Sequence, residues 1–147
     1  MIYLVSACLI GINCRYDGAN SFSETVASFL GGRQFMPVCP ELLGGLGAPR
    51  PACRFEGGDG QGVIRGTARI LDDNGNDLTE SFILGARKAL SIAQQKGIAA
   101  AILNERSPSC GVCEVYIGET RSAGMGVMTA LLAGAGIRVM SDEGPLT

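Results

Sequence analysis

Ile98-Ala99-Ala100-Ala101-Ile102-Leu103 runs directly into Asn104-Glu105-Arg106-Ser107-Pro108-Ser109-Cys110-Gly111-Val112-Cys113. The apolar run reads as a buried strand. The Ser, Pro and Gly that follow mark a rigid turn, and Pro108 disfavours helix at Ser107. Two thiols, two hydroxyls, a guanidinium and a carboxylate therefore gather where a buried strand ends. In open α/β sheets that edge is where ligands bind. The reading of the whole chain turns on whether other strands deliver matching chemistry to the same edge.

Two of them do. Ile2-Tyr3-Leu4-Val5 is a short run of β-formers, and Cys8 lies just past its carboxyl end, with Cys14 six positions later in the same loop. Gln34-Phe35-Met36-Pro37-Val38-Cys39 is a second short strand, irregular or at an edge because Pro37 donates no ladder bond. Between them, Ser23 to Gly32 reads as a helix, capped by Ser21 or Ser23 and carrying Val26, Phe29 and Leu30 as an apolar stripe. Asp77 to Lys96 is the strongest helix, with Phe82, Ile83, Ala86, Ala89, Leu90 and Ala93 at helical spacing and Asp77 and Glu80 at capping-box spacing. Arg65–Leu71 reads as extended, turning at Asn74-Gly75. Val115-Tyr116-Ile117 reads as a short extra strand and Arg121–Gly126 as a loop. Val127–Ala133 is a final helix and Ile137–Met140 a fourth strand. Leu42 to about Gly62, rich in Gly and Pro, reads as one long functional loop.

Strands alternating with helices predict an α/β fold: a small, doubly wound, mostly parallel sheet, Rossmann-like or flavodoxin-like, with that long loop and a hairpin. Right-handed crossovers would set the carboxyl ends of the first three strands on one edge. No linker or repeat divides the chain, so residues 1–147 are read as one domain.

Composition narrows the chemistry. The chain has 147 residues, a net charge of −2, 22 glycines, six cysteines and no histidine. Its charge supplies no electrostatic footprint for a nucleic-acid backbone. No apolar run reaches the length of a membrane span, and the N-terminus has no basic signal region, so a soluble cytoplasmic protein is the expectation. The absence of histidine removes every Ser-His and Cys-His nucleophile pair and every imidazole base or ligand. Acid–base work falls to carboxylate, thiol, lysine, tyrosine, hydroxyl or water. Cytosolic cysteines at this density point to metal binding or redox work more than to disulfides.

Cys8, Cys39 and Cys110 each follow a strand. One reading is that each is simply a small buried hydrophobe; three coinciding on one edge argue for a shared metal site. Zinc prefers close Cys pairs, and Cys110–Cys113 is such a pair, but no second one exists. Iron–sulfur clusters accept thiolates from separate loops, and three ligands would leave one iron open for a substrate atom. Without a metal, a cysteine pair could run thiol–disulfide exchange. Gly124-Met125-Gly126 could bind an anion at a helix start, although a plain helix start is the simpler reading. Arg50, Arg54, Glu56 and Asp59 are either ligand contacts or a solvated loop face.

Three stretches carry a family resemblance. They are Ser6-Ala7-Cys8-Leu9-Ile10-Gly11 with Cys14-Arg15-Tyr16-Asp17-Gly18; Val38-Cys39-Pro40-Glu41 with Gly44-Gly45-Leu46 and Pro49-Arg50; and Glu105-Arg106-Ser107-Pro108-Ser109-Cys110-Gly111. Together, over essentially the whole chain, they resemble a bacterial family long catalogued as a domain of unknown function, which includes thiouracil desulfidases. The resemblance implies a [4Fe-4S] cluster held by Cys8, Cys39 and Cys110 with one open iron, and beside it Glu41 and Ser107. On that basis the open iron would bind a thiocarbonyl sulfur, Glu41 would activate water, and Ser107 or Ser109 would orient the ring or pass a proton, without net electron transfer. Arg50 and Arg106 are candidate substrate contacts. The implied partner is a thiolated pyrimidine, as free base or nucleoside; a thiolated tRNA position finds no support in the charge. Alternatives from other classes are a structural or regulatory zinc protein and a thiol redox protein. Cys14, Cys53 and Cys113 are read as core or spare thiols.

Overall fold

The structure is a computed structural model and describes all residues from 1 to 147. Its strands are β1 (Ile2–Ser6), β2 (Gln34–Val38), β3 (Cys53–Glu56), β4 (Arg69–Asp72), β5 (Ala100–Leu103), β6 (Glu114–Ile117), β7 (Thr120–Ala123) and β8 (Arg138–Ser141). Its α-helices are α1 (Glu24–Leu30), α2 (Pro40–Leu43), α3 (Gly60–Arg65), α4 (Thr79–Gln95) and α5 (Val127–Gly134).

The predicted parallel sheet is present, with strand order β2-β1-β5-β8. Every pairing in it is parallel. β5, the strand of the opening stretch, is central and buried at all four residues. Its alternate side chains feed two cores: Ala101 and Leu103 pack toward α4 and α5, while Ala100 and Ile102 join Tyr3, Val5, Val26 and Leu30 on the α1 side. That two-sided burial is why β5 carries no polar residue. β2 is the edge strand, which is where Pro37 costs no second ladder bond. The chain runs out from β1 to β2 on one side and to β5 and β8 on the other, so the topological switch lies between β1 and β5. The crevice at that switch is the expected ligand position of an open α/β sheet.

The long loop is a correction. Leu42–Gly62 holds the end of α2, the strand β3 and the start of α3. Arg121–Gly126 is likewise partly a strand, since β7 pairs antiparallel with β6. These pieces build a second four-stranded sheet, β4-β3-β6-β7. Its Phe55, Ile70 and Val115 are fully buried against α4 and α5. Elements of four to six residues are too short for hydrophobic periodicity to show, and their glycines read as loop. The extended run predicted from Arg65 is also shorter, because Arg65 ends α3 and β4 begins at Arg69. Asn74-Gly75 does turn: the Asp72 carboxylate accepts from Asn74 N, Asn76 N and Asn76 Nδ2, and Gly75 adopts a positive φ. The α4 capping box is absent; Asp77 instead accepts from the backbone and hydroxyl of Thr79.

Candidate active site

Each cysteine that ends a strand is held by a different local device. After β1 the chain enters a one-turn 3₁₀ helix, Ala7–Ile10, closed by Gly11 in the left-handed region. This turn leaves Cys8 buried at the sheet edge. After β2, Cys39 takes the extended position before α2, whose first residue Pro40 needs no N–H partner. α2 lies backbone-to-backbone on α4, since a Cβ on Gly85 would sit 1.8 Å from the Pro40 carbonyl oxygen. The contact fixes where Cys39 and Glu41 point.

After β5, the Cys110 turn is organised by side-chain acceptors. Ser107 Oγ accepts from Ser109 N at 3.1 Å and Cys110 N at 3.2 Å. The buried Glu105 carboxylate accepts, through one oxygen, from the N–H groups of Val112, Cys113 and Glu114 at 2.7, 2.8 and 3.0 Å. Burial pushes this carboxyl up, but those donors and the Ser141 hydroxyl outweigh it and hold it below the usual carboxylate range. The start of α5 locks the turn from behind: Val127 N donates to Pro108 O, Met128 N to Ser109 O and Gly126 N to Gly111 O. These donors are therefore committed to the turn's carbonyls, and the glycines before α5 form a helix start, not an anion site. Gly126 is required there, because a Cβ would lie 2.3 Å from the Ser109 carbonyl.

The three loops converge. Cys8, Cys39 and Cys110 line one cavity of about 750 Å³, together with Glu41, Ser107, Arg50 and Arg106. Two cysteines read as spare, Cys14 and Cys53, line it as well. Cys113 does not; it is exposed. Ser109 is wholly buried, its hydroxyl has no partner, and it does not line the cavity. Ser107 and Cys110 line the cavity, whereas Ser109 is buried outside its lining.

Glu41 sits at the cavity wall with its carboxylate divided between two environments. Oε2 pairs with Arg50 Nη2 at 3.2 Å, with both side chains only 11% exposed. Oε1 is buried and has no partner. Arg50 Nη1 also donates to the carbonyls of Cys14 and Gly47, at 2.9 and 3.0 Å. Arg50 therefore links Glu41 to the first cysteine loop. Arg106 is similarly engaged, pairing with Glu143 and Glu114, and adopts φ 68°. Asp142, at the end of β8, also lines the cavity and accepts from Glu105 N at 3.0 Å. Burial raises its carboxyl above the ordinary value.

The surroundings of Cys14, Cys39 and Cys110 favour the protonated thiol. Burial lifts Cys110 well up, helped by the Glu41 charge, while contacts with the Ser6 and Ser107 hydroxyls pull the other way. Cys39 is raised by its interaction with Cys14, by burial and by Glu41. For Cys14, Cys39 draws the thiol down, but Cys8 and burial win and lift it to about 11. No three Cys, Asp or Glu side chains close in tightly enough to hold a single ion. Several soft donors around a roomy cavity, next to an orphaned carboxylate oxygen, suit a thiolate-held cluster better than one tetrahedral zinc.

The arrangement defines a class: a small α/β protein whose strand ends present thiols and one clamped carboxylate to a shared cavity. The profile of the 2-thiouracil desulfurase family matches residues 3–144, and the chain belongs to that family of desulfidase enzymes. It is 43% identical over 143 residues to a protein of Bacillus subtilis (strain 168) called "Uncharacterized protein YbbK", covering 95% of each chain. It also resembles the solved structure of the [4Fe-4S]-dependent thiouracil desulfidase TudS, with a TM-score of 0.80 and 35% identity, over 95% of this chain and 89% of that one. No helix here is long and apolar enough to cross a membrane.

Proposed function

We propose that the chain removes sulfur from thiouracil-type pyrimidines by hydrolysis, with Cys8, Cys39 and Cys110 holding a [4Fe-4S] cluster in the cavity. The observation that carries this reading is the convergence of those thiols, from three separate strand ends, on a cavity also lined by Glu41, whose Oε1 has no partner. Membership of the desulfurase family and the likeness to TudS support it. When bound, the cluster would supply an open iron, a Lewis acid soft enough to favour sulfur.

The chain's own residues do the rest. Arg50 holds Glu41 through Oε2 and leaves Oε1 unpartnered, so this carboxylate of the cavity wall is a proton acceptor held in place. With no histidine in the chain, Glu41 is the positioned base of the site. It takes a proton from water as the water oxygen bonds to the carbon that carries sulfur. The carbon–sulfur bond then breaks, the oxygen remains as the carbonyl, and sulfur leaves as sulfide with the protons of that water. The sum is thiocarbonyl plus water giving carbonyl plus hydrogen sulfide, so no electron donor is required. Ser107 Oγ already accepts two backbone N–H groups, which leaves its hydroxyl proton to donate. It serves as a donor beside Cys110 and the reacting sulfur. Arg50 and Arg106, being in ion pairs, shape the cavity wall; the substrate is met by the polar groups left open.

The test is anaerobic reconstitution with iron and sulfide, followed by 2-thiouracil absorbance. The thiocarbonyl band decays in the loaded protein and not in the empty one. A loaded cluster that leaves the band unchanged contradicts the proposal.

A further inference from the structure

One thiol of the cavity has no part in the chemistry above. Cys14 is buried, lines the same space as the three proposed ligands, and packs in one buried cluster with Cys8, against which Cys39 also lies. Its backbone is pinned: the Cys14 carbonyl accepts from Arg50 Nη1 at 2.9 Å and from Cys39 Sγ at 3.7 Å. Cys110 has no such companion. Its close polar neighbours are the hydroxyls of Ser6 and Ser107. Cys53 also reaches the cavity, but its sulfur points back to the Pro51 carbonyl at 3.6 Å. The thiols are therefore unequally provided for, with three grouped on one wall and one alone on the other.

We infer that Cys14 is a reserve ligand, able to take over the iron of Cys8 or of Cys39 when either is lost, whereas nothing replaces Cys110. The inference rests on the cluster reading above. Iron–sulfur ligation asks for a thiolate at the right place and is indifferent to where that thiolate sits in the sequence. Rotation about χ1 carries a cysteine sulfur between staggered wells without moving the backbone. A thiol already beside each of two ligands needs only such a rotation. A hydroxyl beside the third offers a poor ligand for iron in a sulfur cluster, so the Cys110 position has no substitute.

The experiment compares iron and acid-labile sulfide per chain, and the electron paramagnetic resonance of the reduced cluster, after anaerobic reconstitution with iron and sulfide. Cys8→Ala and Cys39→Ala retain a cluster, with an altered resonance because a different cysteine ligates. Cys110→Ala loses it. Adding Cys14→Ala to either of the first two variants empties the site, while Cys14→Ala alone loads like the parent. Circular dichroism of each empty variant establishes that its fold persists. Should Cys8→Ala and Cys39→Ala be folded and as empty as Cys110→Ala, or should the double variants still load, Cys14 is not the reserve ligand. These two single variants keep the question decidable even if a double variant fails to fold. A parent chain that takes up no iron overturns the cluster reading itself, a result distinct from a loaded parent whose variants all empty.

Discussion

The two walls of the cavity are built on opposite plans. The wall formed by the β1 and β2 ends is rich in thiols and carries a buried ion pair, with Arg50 holding Glu41 and the Cys14 loop together. The wall formed by the β5 end has a single thiol, Cys110, set in a turn whose backbone donors are gathered by Glu105 and Ser107 and whose carbonyls are met by α5. The first wall is positioned by side-chain charge, the second by backbone bonding. The difference teaches that reactivity and rigidity are divided: the cavity-lining carboxylate with an unpartnered oxygen lies on the charged wall, and the fixed anchor lies on the other.

Four substitutions break or sharpen this contrast. Removing the free base has the largest effect. Glu41→Gln lowers kcat by about 10²–10⁴-fold, while iron content stays that of the parent. Loosening the clamp comes next: Arg50→Met lowers kcat by about 10–100-fold through misplacement of Glu41, with KM little changed. A raised KM with kcat intact would return Arg50 to the role of substrate contact. On the rigid wall the effects appear as stability. Glu105→Gln lowers the unfolding free energy by about 1.5–3 kcal/mol, the worth of bonds to a charged acceptor, read as a shifted urea midpoint at neutral pH. Because the folded Glu105 carboxyl lies below its ordinary value, its contribution is present above the unfolded value of about 4.3 and disappears as pH falls through the folded one. The parent's midpoint therefore drops across that acid window by more than the variant's. The smallest effect is at the rim, where Arg54 and Asp73 form a pair 38% and 63% exposed. Arg54→Ala costs under about 1 kcal/mol and leaves turnover unchanged; a large loss of turnover there would extend the charged wall to the cavity mouth.

The same contrast explains what the sequence disclosed. β5 was legible because Ala100–Leu103 is apolar throughout, and Cys8, Cys39 and Cys110 were legible because each follows a run of β-formers. α4 was legible from its long stripe. The second sheet was legible only in part: β4 and β6 fall within runs that read as extended, but β3 and β7 lie in stretches that read as loop, and Phe55 gives no periodicity by itself. Its place depends on contacts with Ile70 and Val115 that are distant along the chain. Ser109 lies next to Cys110 in sequence but outside the cavity lining, because adjacency says nothing about which way a side chain faces within a turn. Arg50 and Arg106 looked available because their partners, Glu41 and Glu143, are 9 and 37 residues away. Cys14 had one signal, its place in the loop of Cys8, but only the packing of the first two strand ends brings it against Cys39.

Hydrolysis at the thiol-lined cavity is tested most directly by the origin of the product's oxygen. The reconstituted protein is given 2-thiouracil anaerobically in oxygen-18 water, and the product is weighed by mass spectrometry while sulfide is titrated. The account predicts uracil carrying one oxygen-18 atom and one sulfide released for each uracil formed. Turnover that yields uracil without the label, or a desulfurised ring with hydrogen in place of oxygen, would contradict it.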